Sequence, residues 1–232
     1  ARRIVAAVEA GTLEASDVYA RAQEVLNVAA ASADLPAPTP YDLDEHHALA
    51  TRIASEAITL LRNEDDALPL SSGTSVALIG DLADTPRYQG AGSSQVNPTR
   101  LETPRELLEA GGESARGLAL TGYAPGYERH GGTSDALIAE AVALAARADV
   151  ALVYVGLDEL AESEGLDRTH MRLPEGQDRL IEAVVAANLR TVVVLTGGAS
   201  VEMPWAASVP ALVNGYLGGQ GGAGAMLDVL TG

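Results

Sequence analysis

Cysteine is absent from the 232-residue chain. That excludes disulfides, thiolate metal sites and a cysteine nucleophile, and leaves the redox compartment open. Phe is also absent, Trp occurs once and aromatic residues make up only 3%. No apolar run approaches the roughly 20 residues of a membrane-spanning helix. Basic residues are scarce: 15 Lys and Arg stand against 32 Asp and Glu, for a formal net charge of −17. Phosphate neutralisation needs a basic face, so this balance argues against a nucleic-acid partner. It equally disfavours an anionic membrane surface. The opening Ala1-Arg2-Arg3-Ile4-Val5 superficially resembles a targeting segment, but Glu9 interrupts its apolar stretch. The alanine-rich, lysine-poor composition suggests a GC-rich bacterial source, and the compartment is left open with the cytoplasm slightly favoured.

What is present is an ordinary globular mixture, 47% hydrophobic and 20% charged. The length suits one full domain plus an extension, or two small domains. The chain enters directly on a helical pattern without a starting Met and reads as a piece of a longer protein. Two helical runs fill residues 1–32, the first stopped at Gly11. Leu35-Pro36-Ala37-Pro38-Thr39-Pro40 follows as an extended linker, the best domain boundary in the chain. A helix is expected from about Asp44 to Arg62, with Asp42 and Glu45 forming a capping-box-like start.

Strands and helices then alternate. The strand candidates are 75–80, 118–123, 149–156, 191–197 and 211–217, and the helix candidates are 104–110, 134–147, 175–187 and 221–230. Three strands are continuously apolar, among them Val150-Ala151-Leu152-Val153-Tyr154-Val155. Strands covered on both faces read this way. The pattern predicts an α/β fold, a doubly wound and mostly parallel sheet preceded by a helical linker.

In such sheets ligands bind beyond the carboxyl ends of the strands. Two loops there draw attention. Arg87-Tyr88-Gln89-Gly90-Ala91-Gly92-Ser93-Ser94-Gln95-Val96-Asn97-Pro98 is rich in glycine, hydroxyl and amide groups. It is either a polar ligand loop or a plain solvated one. Residues 157–168 carry five carboxylates: Asp158, Glu159, Glu162, Glu164 and Asp167. Crowded like charges raise the pKa of at least one member, which could then act as a general acid. A solvated surface or a calcium site through oxygen ligands are the rival readings. Gly219-Gln220-Gly221-Gly222-Ala223-Gly224 matches a dinucleotide fingerprint. It follows the last strand rather than the first, and the sequence stops short of the position about 20 residues on where an acidic partner is expected, so close backbone packing is the preferred reading. The histidines His46, His47, His130 and His170 form no metal-binding pair and no serine triad; His170 is the most interesting because it closes the acidic loop.

Taken together these segments resemble family 3 glycoside hydrolases, the β-glucosidase family. The resemblance rests on Tyr88-Gln89-Gly90-Ala91-Gly92-Ser93-Ser94-Gln95-Val96-Asn97-Pro98-Thr99, on Glu162-Ser163-Glu164-Gly165-Leu166-Asp167-Arg168 with Leu173-Pro174, and on Ala57–Glu64 with Leu68-Pro69-Leu70. Val201-Glu202-Met203-Pro204-Trp205 and Gly218-Gly219-Gln220 add to it. The family implies a (β/α)₈ barrel carrying an Asp nucleophile, followed by a six-stranded α/β sandwich that supplies the acid/base Glu. This sequence has no Ser-Asp-Trp nucleophile motif and no room for a barrel. The resemblance therefore implies that residues 1–40 are the helical tail of a missing barrel plus linker, and that 41–232 are the second domain. It implies that Glu164 is the acid/base, with Glu162 as the alternative, and that Ser93, Ser94, Gln95 and Arg168 bind substrate. The expected reaction is hydrolysis of terminal non-reducing β-D-glycosyl residues by a retaining exo-β-glycosidase, a β-glucosidase first among these. The expected partners are a β-glucoside or oligosaccharide substrate and the barrel of the same polypeptide, with no cofactor and no metal. Trp205 and Tyr88 are the available sugar-stacking rings. A nucleotide- or sugar-nucleotide-binding module built on the 219–224 glycines is the alternative function, and a scaffold without catalysis is a third.

Overall fold

The computed structural model describes residues 1–33, 35–36, 39–130 and 132–232. The chain divides into two compact units, Ala1–Tyr41 and Asp42–Gly232. In the first, α1 (Arg2–Glu9) and α2 (Ala15–Ala33) contain no buried residue. The expected proline-rich linker falls partly on Ala37 and Pro38, which lie outside the described residues.

The second unit carries the core. It opens with α3 (Leu43–Ala57), whose N-cap Asp42 accepts hydrogen bonds from the Asp44 and Glu45 amides at 2.8 and 3.2 Å. The sequence pattern carried this helix on to Arg62, and the structure corrects that. The chain turns extended at Ile58, and Thr59–Asn63 forms β1, an antiparallel edge strand on the last strand of the sheet. Leu60 and Leu61, which fit a helical period, lie on that edge half exposed.

Five parallel strands complete the sheet: β2 (Ser75–Ile79), β3 (Ala119–Ala124), β4 (Val150–Gly156), β5 (Thr191–Thr196) and β6 (Ala211–Tyr216). The order across it is β1-β6-β5-β4-β2-β3. Every residue of β4 is buried, which accounts for its unbroken apolar sequence. The connecting helices are α4 (Pro104–Ala110), α5 (Asp135–Ala145), α6 (Gln177–Ala187) and α7 (Gly222–Thr231). Helices α3 and α4 pack on α7, and α5 packs on α6, so the two faces of the sheet are each covered. Helix α4 begins with the expected capping box between Thr103 and Glu106 with Pro104 in its first turn.

One topological detail positions everything that follows. From β2 the chain moves outward to β3, then returns across β2 to β4 on its other side. The connections leaving β2 and β4 therefore diverge, and a crevice opens between their carboxyl ends. In open α/β sheets this switch point is where ligands bind.

Candidate functional site

Residues 80–103 leave β2, and residues 157–176 leave β4. Each loop is shaped by a glutamine amide that substitutes for missing backbone partners. In the first loop, Gln89 donates from Nε2 to the Val96 carbonyl and accepts from the Val96 amide, both at 3.0 Å. This closes residues 89–96 on themselves and sets Gly92 and Ser93 at the tip. Gly92 has φ +94°, and a Cβ there would stand 2.9 Å from the Glu164 Cβ. Both the backbone conformation and the close approach of the facing loop demand glycine. In the second loop, the buried Gln177 side chain accepts from the Gly156 amide at 2.9 Å and donates to its carbonyl at 3.1 Å. It fastens the first turn of α6 to the end of β4.

The sequence led to the expectation of a raised pKa among the five carboxylates of the β4 loop, whereas Glu159 and Glu164 are both shifted down. Four of the five have separate partners. Asp158 accepts from the Leu160 and Ala161 amides at 3.0 and 2.7 Å, and its other oxygen meets His130 Nδ1 at 3.0 Å. Glu159 receives Arg129 through Nε and a terminal nitrogen at 3.0–3.1 Å. Partial burial pushes the Glu159 pKa up, but the Arg129 hydrogen bonds and charge outweigh it and leave the value lowered. Asp167, exposed, faces the crevice alongside Arg168.

Glu162 and Glu164 differ sharply. Glu162 Oε2 is hydrogen-bonded to Arg87 and accepts from the Gly198 amide at 3.0 Å. The Arg87 side chain is only 2% exposed. It also donates to the Glu162 carbonyl at 2.8 Å and the Leu157 carbonyl at 3.2 Å. Arg87 and Glu162 thus tie the loops after β2, β4 and β5 together. Glu164, by contrast, is exposed, and among the described residues its side chain is hydrogen-bonded to Ser93 alone. Its Oε2 accepts from the Ser93 hydroxyl and from the Ser93 amide, the latter at 3.1 Å. These two bonds, the hydroxyl first, hold the Glu164 carboxyl below the usual glutamate value.

Of the other expected substrate ligands, Arg168 lines the same open depression of about 680 Å³ as Glu164, together with Gly90, Ala91 and Asp167. Its guanidinium donates to the Ser200 carbonyl at 2.9 Å and the Arg172 carbonyl at 3.3 Å, which braces the far side of the loop. Ser94 and Gln95 are exposed on the β2 loop beside Ser93, and neither side chain is hydrogen-bonded to Glu164. Trp205 is corrected as a stacking ring: it is 3% exposed and its indole donates to Asp178 at 2.7 Å. Tyr88 stays partly exposed, and its carbonyl accepts from the Gly219 amide at 2.9 Å.

Within the 219–224 run, Gly221 serves packing. A Cβ on Gly221 would lie 2.7 Å from the Thr51 Cα, because α3 runs directly across the start of α7. The approach is closed at Gly221, whereas a Cβ on Gly219 or Gly222 would meet nothing within 4 Å. Among the described residues no group of three or more His, Asp or Glu is placed to hold a metal ion. No helix of the described chain is long and apolar enough to cross a membrane. Sequence reasoning did not identify Gln89, Gln177, Gly198 or the Arg87–Glu162 pair. Arg87, Gln89 and Glu162 stand in the loops the sequence singled out, but their bonds to one another and to the backbone leave no local pattern.

Thermostable beta-glucosidase B of Acetivibrio thermocellus is 44% identical over 234 residues, spanning the whole chain but 30% of that protein. An exo-alpha-(1->6)-L-arabinopyranosidase of Bifidobacterium breve is 39% identical over 203 residues, covering 83% of this chain and 26% of that relative. The crystal structure of a Bifidobacterium adolescentis GH3 beta-glucosidase superposes with a TM-score of 0.82 at 36% identity, covering 99% of this chain and 34% of the other. The chain thus spans about a quarter to a third of the length of these relatives. The family model for the glycosyl hydrolase family 3 C-terminal domain matches residues 58–232, and the chain belongs to that family.

Proposed function

We propose that this chain is the acid/base-supplying part of a retaining exo-β-glycosidase, a β-glucosidase in the first instance. In this reading residues 1–40 are the helical exit from a preceding (β/α)₈ barrel, and the barrel brings the carboxylate nucleophile. Glu164 is the acid/base. The observation that carries the assignment is the contrast between the two neighbouring glutamates: Glu162 is committed to Arg87 and Gly198, whereas Glu164 stands exposed at the switch-point crevice. A general acid must reach the proton acceptor in the substrate, and a carboxylate already bound to a buried guanidinium is a poor candidate.

In the first step Glu164 gives its proton to the glycosidic oxygen as the bond from that oxygen to the anomeric carbon breaks. The nucleophile's carboxylate bonds to the anomeric carbon in the same step. In the second, water attacks that carbon, its proton passes to Glu164 and the glycosyl–enzyme bond breaks. Ser93 and Arg168 flank Glu164 as substrate contacts, with Ser94 and Gln95 further along the β2 loop. Relatives named for a β-glucosidase and for an arabinopyranosidase share this domain at 44% and 39% identity. That supports assigning the shared proton-transfer step to this domain and sugar choice mainly to the barrel.

The test uses the full-length enzyme. Wild type and Glu164→Ala are compared on a nitrophenyl β-glucoside with and without azide. General acid–base groups typically contribute about 10²–10⁴-fold. The expected result is a loss of that order, with azide restoring turnover and yielding a glycosyl azide of retained configuration. Unchanged turnover, or a loss without azide rescue, would move the role away from Glu164.

A further inference from the structure

Among the described residues the Glu164 carboxylate has one hydrogen-bond partner, Ser93, which is itself an expected sugar ligand. Ser93 turns both of its donors, the amide and the hydroxyl, onto the same Oε2 of Glu164. The loop is built for this contact: the Gln89 amide closes it at Val96, and Gly92 leaves room for the Glu164 side chain that a Cβ would strike. The two arginines around the depression are engaged elsewhere. From the β2 loop, Arg87 is bound to Glu162; from the β4 loop come Glu162, Asp167 and Arg168, the last bound to backbone carbonyls. The loops after β5 and β6 contribute only Ala199 and Leu217.

We propose that Ser93 is a substrate-responsive positioning residue, which holds Glu164 as a carboxylate in the empty site and exchanges it for a sugar hydroxyl when substrate binds. The inference rests on the acid/base reading of Glu164 given above. Two hydrogen bonds to one oxygen favour the ionised form. A general acid must instead carry its proton at the moment the leaving oxygen needs it. A serine hydroxyl has one proton to donate, so a sugar acceptor takes the hydroxyl from Glu164 and removes the stronger of the two supports for its charge. The site then readies its acid when a substrate is there to receive the proton. The clamp can re-form in the second step, where Glu164 must be a base.

The experiment separates the free enzyme from the complex. The pH dependence of kcat/KM reports the acid in the free enzyme, and that of kcat reports it in the complex. In the full-length enzyme, acting on an unactivated disaccharide so that leaving-group protonation limits the first step, the alkaline limb of kcat/KM should lie at lower pH than that of kcat. In Ser93→Ala the kcat/KM limb should move to higher pH and close that gap, while Ser93→Thr, which keeps the hydroxyl, should restore it. A Ser93→Ala enzyme with raised KM and an unmoved gap would overturn the proposal and leave Ser93 as a sugar contact alone. Azide rescue of Glu164→Ala, run alongside, tells that failure from a wrong choice of acid/base.

Discussion

The two ends of the acidic loop contrast. From Leu157 to Glu162 the chain is locked to its surroundings through Arg87, Arg129, the turn at Asp158 and the Gly198 amide. From Ser163 to His170 most residues are exposed, and Glu164 is held by a single serine from across the crevice. Two glutamates of identical chemistry therefore have different work. One spends its charge on architecture and the other keeps it available. The lesson concerns carboxylate-rich loops in general: partners decide the role of each acid, and the density of charge does not.

Amidation of each glutamate should break this comparison most visibly. Glu164→Gln should cut turnover of the full-length enzyme by about 10²–10⁴-fold while leaving its thermal unfolding midpoint unchanged. Glu162→Gln should do the reverse in kind. It leaves the Arg87 guanidinium without its counter-charge at 2% exposure, and breaking a buried pair on one side costs about 3–5 kcal/mol. Calorimetry should show a lowered unfolding midpoint, and any activity loss should follow the folded fraction. A Glu162→Gln enzyme with wild-type stability would dissolve the distinction.

Gln177→Leu sharpens it by loosening the root of the loop. The variant removes both partners of the Gly156 peptide in a buried place, and each orphaned group costs about 1–3 kcal/mol. The expected outcome is a lowered midpoint together with faster amide exchange at Gly156, and unaltered exchange would show the clamp to be idle. The smallest effect concerns pH. Because the Glu159 pKa is lowered in the folded chain, its pairing with Arg129 stabilises fully above the ordinary glutamate value and is lost as pH falls through the folded one. Arg129→Leu should therefore narrow the stability difference between mildly acid and neutral solution, and a titration of the unfolding midpoint between pH 3 and 6 would register it.

Much of this was legible beforehand, for identifiable reasons. Strands buried on both faces announce themselves as apolar runs, as in β4, and the Thr103–Glu106 capping box is written in adjacent letters. The edge strand β1 was misread because Leu60 and Leu61 continue the apolar period of α3, and only pairing with β6 distinguishes the two states. The candidate acid was legible as one of two glutamates. What separates them is an arginine 75 residues from Glu162, a distance no local pattern spans. The glutamine amides were illegible for the same reason, since their partners are backbone groups that carry no sequence signature.

The Gln177 staple has a consequence for how this loop can change over evolutionary time. By pinning α6 to the end of β4, it makes segment 157–176 a closed circuit whose two ends are fixed whatever lies between them. Lengthening a closed loop is thermodynamically cheap, about 0.6 kcal/mol for each doubling. Gly165 and Leu166 are exposed, so insertions there would leave the sheet undisturbed, and that short stretch is ground on which descendants can build new rims to the crevice while the root of the loop stays in place.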